Sequence, residues 1–340
     1  MSKSSHLLIR YLAPLAGACV ALTVLFLLYR DLDFRQFVIE LKQAKLHWIV
    51  VLALAILIEQ LIQGWKWRQL LYDLKPISSL RLTGAFLAGY CANCFVPLGV
   101  SPLVRSWLVA RLESLKMSSI LVTTTISRFI DGVVFGLLAV VLALAGQFPR
   151  VEGDLKAGIA AAGLLNFVIF SIALWVLFYS RRTFTNNNSI VSRVVDKLAA
   201  KSRGVLGDLR NGLVDGIIWP NQIARQLGIV IASVAMKIVS TTHFLWAGLA
   251  VGIVLSPLYY LFVMVFAGFA LVLARFIRVP GGFVIGAGFA LKLQGVPDET
   301  AIAMILLNHV MAIVLVVGIG AFVLWRDGVS IRMLDRQELV

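Results

Sequence analysis

Ten ionisable side chains interrupt or border the apolar stretches of this 340-residue chain: Glu59, Arg105, Arg128, Asp131, Lys237, His243, Arg275, Arg278, Lys292 and His309. Within a membrane such groups are costly, which makes each a functional candidate by default. Six are Arg or Lys, two are His and only two are carboxylates. Buried cations need anionic partners, and the protein supplies too few. A phosphate-bearing lipid headgroup would fill that role, helped by N–H groups at helix termini. The residues taken as binding candidates are Arg105, Arg128, Asp131, Arg275, Lys237 and His309.

Each candidate has a plainer reading. Arg128 and Asp131 stand three apart on one helical face, close enough to pair, and such a pair also fixes packing without further function. Arg105, Arg275, Arg278 and Lys292 flank proline or glycine breaks, where long cations snorkel to the interface. His243 and His309 read as core or polar-contact residues, because neither has a second metal ligand at i+4. Cys91-Ala-Asn-Cys94 has half-site spacing, yet no second Cys pair or nearby His completes it. It reads as small residues at a helix contact. No metal, cofactor or catalytic residue is expected: the chain has no metalloprotease His-Glu pair, nucleophile elbow, Walker loop or Asp-rich metal motif.

The elements that carry these residues follow from composition. Sixty per cent of the residues are hydrophobic and 14% charged, far from the soluble range. In a bilayer only helices and closed barrels satisfy every backbone polar group, and the apolar runs lack the alternation of barrel strands. The expected fold is therefore an all-α polytopic membrane protein with about six full spans, near 11–29, 47–65, 118–146, 157–180, 226–254 and 300–325. Lys3 and Arg10 precede the first run as in a signal peptide, but the run is long enough to remain as an uncleaved span. Residues 30–45 suit an interfacial helix, and Trp65-Lys66-Trp67-Arg68 suits an interface anchor.

Charge sets the expected orientation. The net charge of +14 follows from the cytoplasmic bias of Lys and Arg, and no separate basic domain points to nucleic acid. Residues 181–225 hold eight basic and three acidic residues with apolar positions at helical spacing, an amphipathic helix on the inner leaflet. The tail carries Arg326, Arg332 and Arg336. The chain thus reads as one transmembrane domain over 1–340: a first half at about 47–180, the linker 181–225, a second half at about 226–326 and a tail at 327–340. Both termini are expected in the cytoplasm of an inner (plasma) membrane protein.

Two segments break the pattern of simple spans. Pro97, Gly99 and Pro102 interrupt the stretch 82–115, and Pro280, Gly281 and Gly282 interrupt 256–296. Each break stops a helix, and the arms of the first are too short to cross alone, so two re-entrant hairpins are expected, the second with an apolar arm from Pro257 to Ile277; one kinked span is the alternative for the first. The interval from Pro97 to Arg128 is 31 residues and from Pro280 to His309 is 29. An odd number of crossings separates the breaks, giving an inverted repeat with opposed hairpins and a site near the midplane.

Asn93, Pro97, Gly99, Arg105 and Ser127-Arg128-Phe129-Ile130-Asp131, with Pro280-Gly281-Gly282, Gly295-Val296 and His309, resemble the lysylphosphatidylglycerol synthase/flippase transmembrane-domain family. The resemblance runs from about residue 10 to 326. It implies a stand-alone, flippase-like role for a lipid or lipid-linked glycan, without a synthase domain. Arg105, Arg128 and Asp131 carry over from the family pattern. The chain departs from it at Val100-Ser101 and Ile285-Gly286-Ala287-Gly288, where the family carries acidic residues, and at Ser127 and His309, where Glu and Arg are common. Expected partners are a membrane phospholipid or lipid-linked sugar. The runner-up role is a non-transporting scaffold for partner enzymes of lipid or glycan synthesis. A third, an intramembrane lipid-modifying enzyme, lacks its nucleophile and metal motifs.

Overall fold

The computed structural model describes residue 23 and residues 33–95, 101–146, 153–185, 214–276 and 281–328. Among these, ten labelled helices follow one another: α1 (Phe34–Lys42), α2 (Leu46–Leu71), α3 (Ser79–Phe95), α4 (Ser101–Glu113), α5 (Met117–Ala145), α6 (Gly153–Thr185), α7 (Ile223–Ala250), α8 (Pro257–Phe276), α9 (Gly282–Leu293) and α10 (Asp298–Arg326). Helices satisfy their own backbone groups, which is what apolar surroundings demand.

Among the described residues, six helices are long and apolar enough to cross a membrane: α2, α5, α6, α7, α8 and α10. Five of these match expected spans. The sixth, α8, expected as one arm of the second hairpin, is apolar over Pro257–Ala274 and has the length and composition of a crossing. The expected first span at 11–29, most of the linker 181–225 and the tail beyond residue 328 lie outside the described residues. Large apolar side chains remain exposed along the long helices; on α6, Leu165, Ile169, Ile172 and Trp175 are all more than half exposed. A protein that displays such a band needs lipid against it. This is a multi-pass membrane protein.

The amphipathic α1 starts at Asp33, whose carboxylate accepts hydrogen bonds from the Arg35 and Gln36 amides. That caps the first turn and places a short helix where an interfacial one is expected. Pro102 falls in the first turn of α4, where a missing amide hydrogen costs nothing, rather than in the break itself. Gly281 adopts φ +80° just before α9, a left-handed conformation that glycine takes without steric cost. Pro97, Gly99 and Pro280 lie outside the described residues.

Small residues hold the short helices together. A Cβ on Gly89 of α3 would sit 2.7 Å from the Ser101 carbonyl oxygen and 3.2 Å from the Arg105 Cβ of α4. A Cβ on Gly286 of α9 would overlap Ala270 of α8, and one on Gly282 would overlap Ala274, so α8 and α9 run antiparallel. Bilayers offer no hydrophobic force between helices, so close backbone approach at small residues does the work. Cys91 is buried at a similar contact, against Gly320 of α10.

Helix lengths recur along the chain. Helices α2 to α5 measure 26, 17, 13 and 29 residues, and α7 to α10 measure 28, 20, 12 and 29. Arg128 stands eleven residues after the start of α5 and His309 eleven after the start of α10, about 16 Å along each helix. The described chain divides into two compact units, one of residues 1–56, 139–161 and 238–312, the other of 57–138, 162–237 and 313–340. The α3–α4 pair belongs wholly to the second unit and the α8–α9 pair wholly to the first.

Candidate functional site

The site is built on a polar stripe along α2. Gln60, Gln63, Lys66 and Gln69 recur every three residues in an otherwise apolar helix, and all four are buried. Each step of three falls roughly 60° short of a full turn, so the four wind across about half of the helix circumference, and that half turns into the protein because the other carries exposed Leu54, Ile58, Leu61 and Trp65. Lys66 is fully buried, with its Nζ 2.5 Å from Asp131 Oδ1 on α5. Its neighbour Trp67, also fully buried, donates from Nε1 to Thr123 Oγ1 at 3.0 Å and meets the Phe86 ring edge-on at 4.8 Å.

This corrects the reading of Trp65-Lys66-Trp67-Arg68 as an interface anchor. Helix α2 continues to Leu71, and the helical twist sends Lys66 and Trp67 inward while Trp65 stays exposed. It also changes the partner of Asp131. Spacing alone suggests Arg128, but side chains three apart on a helix differ by roughly 60° in direction. Asp131 meets Lys66 across the helix contact, whereas Arg128 is exposed. The stripe of polar residues at three-residue spacing was the signal for Lys66 in the sequence.

Arg105 is the most unusual residue of the cluster. Its side chain is 1% exposed, yet Nε, Nη1 and Nη2 find no hydrogen-bond partner among the described residues. The guanidinium carbon lies 4.3 Å from the centre of the Phe86 ring, a cation–π contact that offsets part of the burial cost. The Ser106 and Ser127 hydroxyls are buried nearby in sequence to Arg105 and Arg128, and they too lack a partner among the described residues. Arg105 lies within electrostatic reach of Arg128, Tyr90 and Asp131, and Lys66 within reach of Asp131, Lys237 and Arg105. Lys237 of α7 is half-buried, its Nζ 5.6 Å from the centre of the Phe135 ring. Among the described residues, four cations thus gather with one carboxylate in this neighbourhood, an arrangement suited to holding an anion.

The remaining candidates lie elsewhere. His309 is exposed and stacks on Phe283 at 5.4 Å within the first unit. Lys292 is exposed near the end of α9 and pairs with Asp298 at 3.0 Å. His243 is buried on α7. The Arg275 side chain and Arg278 lie outside the described residues. One ionic cluster was not anticipated: at the end of α4, buried Glu113 pairs with Lys75 at 2.9 Å and with Arg81. Burial raises the Glu113 pKa, but the two cations outweigh it and hold the carboxyl below its usual range. The adjoining cavity of about 410 Å³ is lined by Ser78, Leu80, Arg81, Leu112, Arg326 and Asp327.

A family model for the lysylphosphatidylglycerol synthase TM region matches residues 14–320. The chain belongs to that family. The match takes in all five residues of the Lys66 cluster and both short-helix pairs, so the resemblance read from Arg105, Arg128 and Asp131 is a family relationship over nearly the whole chain. Comparisons with curated proteins and with solved structures returned no match.

Proposed function

We propose that this chain is a flippase-like transporter of an anionic lipid or lipid-linked glycan, acting without catalysis in an inner (plasma) membrane. The observation that carries this reading is Arg105: a guanidinium almost fully buried, with three nitrogens lacking a hydrogen-bond partner among the described residues. An uncompensated buried cation costs several kcal/mol, and an arriving phosphate would recover that cost through charge-assisted hydrogen bonds. Arg128, exposed eleven residues into a spanning helix, would receive the headgroup first. Asp131 keeps Lys66 neutralised while the site is empty.

The pairs α3–α4 and α8–α9 act as hairpins that enter and leave by one face in this reading, with α8 long enough to reach across. The three spans α5, α6 and α7 lie between them in sequence, so the second opens to the opposite face and the repeat is inverted. Acyl or prenyl tails stay in lipid while the headgroup crosses. Both termini face the cytoplasm, in keeping with the basic linker.

The test is headgroup translocation in liposomes containing the purified chain and a fluorescent anionic lipid. Wild type should move the lipid between leaflets, and Arg128→Gln and Arg105→Gln should abolish movement while elution and melting show a folded protein. Full activity in both folded variants would sink the proposal. Lipid retained by wild type without translocation would favour the scaffold role with partner enzymes.

A further inference from the structure

The charge balance around Arg105 bears on which anion fits. Lys66 lies within electrostatic reach of Lys237 and Arg105, and Arg105 within reach of Arg128. Four cations thus form one linked set around the buried Arg105 guanidinium, which has no hydrogen-bond partner among the described residues. Asp131 offsets one of them directly. Glu59, half-buried two helical turns before Lys66, is the carboxylate that α2 itself supplies. Four cations against two carboxylates leave an excess of two positive charges.

In a medium of low dielectric an excess charge is expensive, and a bound ligand is favoured when it brings the sum towards zero. A zwitterionic headgroup leaves the excess untouched. A singly charged phosphodiester removes half of it. The cations also spread over four helices, with Lys66 on α2, Arg105 on α4, Arg128 on α5 and Lys237 on α7. A ligand with several ionised oxygens can meet more than one of them.

We infer that this site selects a lipid whose headgroup carries at least two negative charges, a phosphomonoester or a diphosphate, over singly charged phosphodiesters. The inference rests on the transport reading and narrows it to a substrate class. Arg105 is the anchor, and Arg128 and Lys237 set the charge preference.

The experiment measures binding of four probes to the full-length chain in detergent at pH 8: farnesyl diphosphate, phosphatidate, phosphatidylglycerol and inorganic pyrophosphate. Farnesyl diphosphate and phosphatidate should bind roughly tenfold or more tighter than phosphatidylglycerol, a difference of about 1.4 kcal/mol. Arg128→Gln and Lys237→Gln, which each reduce the excess by one, should independently collapse that ratio towards unity. Phosphatidylglycerol binding as tightly as the diphosphate, and depending on Arg105, would overturn the charge selection while leaving the transport reading intact. No Arg105-dependent binding of any lipid would overturn both. Inorganic pyrophosphate binding as tightly as farnesyl diphosphate would overturn the assignment to a lipid. A ratio unchanged in both folded charge variants would show that charge excess does not select.

Discussion

At the scale of single residues, Arg105 and Lys66 are both buried cations with opposite circumstances. Lys66 has Asp131 at 2.5 Å, and Arg105 has an aromatic face but no hydrogen bond among the described residues. Opposite responses to substitution follow. Arg105→Met should raise the unfolding stability of the ligand-free protein by about 1–3 kcal/mol, since an apolar side chain of similar length removes an unpaired buried charge. Loss of the Phe86 contact limits the gain. Thermal unfolding in detergent measures this, and a destabilised Arg105→Met would mean that the guanidinium is a structural brace. Asp131→Asn should destabilise by about 3–5 kcal/mol because it leaves Lys66 charged and alone. The double variant Lys66→Met/Asp131→Leu should recover most of that loss in the same assay.

Glu113 supplies a pH dependence whose sign can be worked out. Lys75 and Arg81 hold its carboxyl below the usual range in the folded protein, against the effect of burial. A depressed folded pKa contributes stability above the unfolded pKa, and that stability is lost as pH falls through the folded value. Melting temperature should therefore drop on acidification below about pH 4.5, and the drop should be shallower in Glu113→Gln. Equal acid slopes in the two proteins would remove Glu113 from the account.

At the scale of elements, the short pairs depend on glycine. Gly89 brings α3 against the Ser101 carbonyl and the Arg105 Cβ of α4, and Gly286 brings α9 against Ala270 of α8. Leucine at either place forces backbones apart and should cost about 1–3 kcal/mol. Gly318 on α10 has open space at its Cβ position, so Gly318→Ala should leave the melting temperature unchanged or raise it slightly. Gly89→Leu should also weaken lipid binding, because it displaces Arg105, whereas Gly286→Leu tests the other unit. Long apolar runs made most helices legible from sequence, and the breaks at Pro97 and Pro280 marked the boundaries of the short ones. The length of α8 was legible as an apolar helix from Pro257 to Ile277, but not its standing: it reads as a hairpin arm, yet its apolar run over Pro257–Ala274 is long enough for a crossing.

At the scale of the whole molecule, topology carries the proposal. The connection 72–78 and the turn 114–116 should both lie on the cytoplasmic side, and the turn 294–297 on the outer side, because α5, α6 and α7 intervene. Single cysteines replacing the exposed Pro76, Ser114 and Pro297 in a cysteine-free background test this. An impermeant maleimide added to intact cells should label position 297 and spare positions 76 and 114. Labelling of all three from one side would end the inverted-repeat reading.

By itself the sequence determined that the chain is helical, that it crosses a membrane several times, and that two glycine- and proline-marked segments interrupt the spans. The reason is local: a backbone in hydrocarbon must satisfy its own hydrogen bonds, and proline removes a donor wherever it stands. Membership of the family was legible too, from the resemblance around Arg105, Arg128 and Asp131. Only the tertiary structure decided which charges are buried and which are paired. Arg128 and Lys66 are both cations within apolar helices, but one is exposed and the other wholly enclosed. Which face of a helix meets another helix depends on contacts from distant parts of the chain, and that choice gave Asp131 to Lys66 and left Arg105 buried against Phe86.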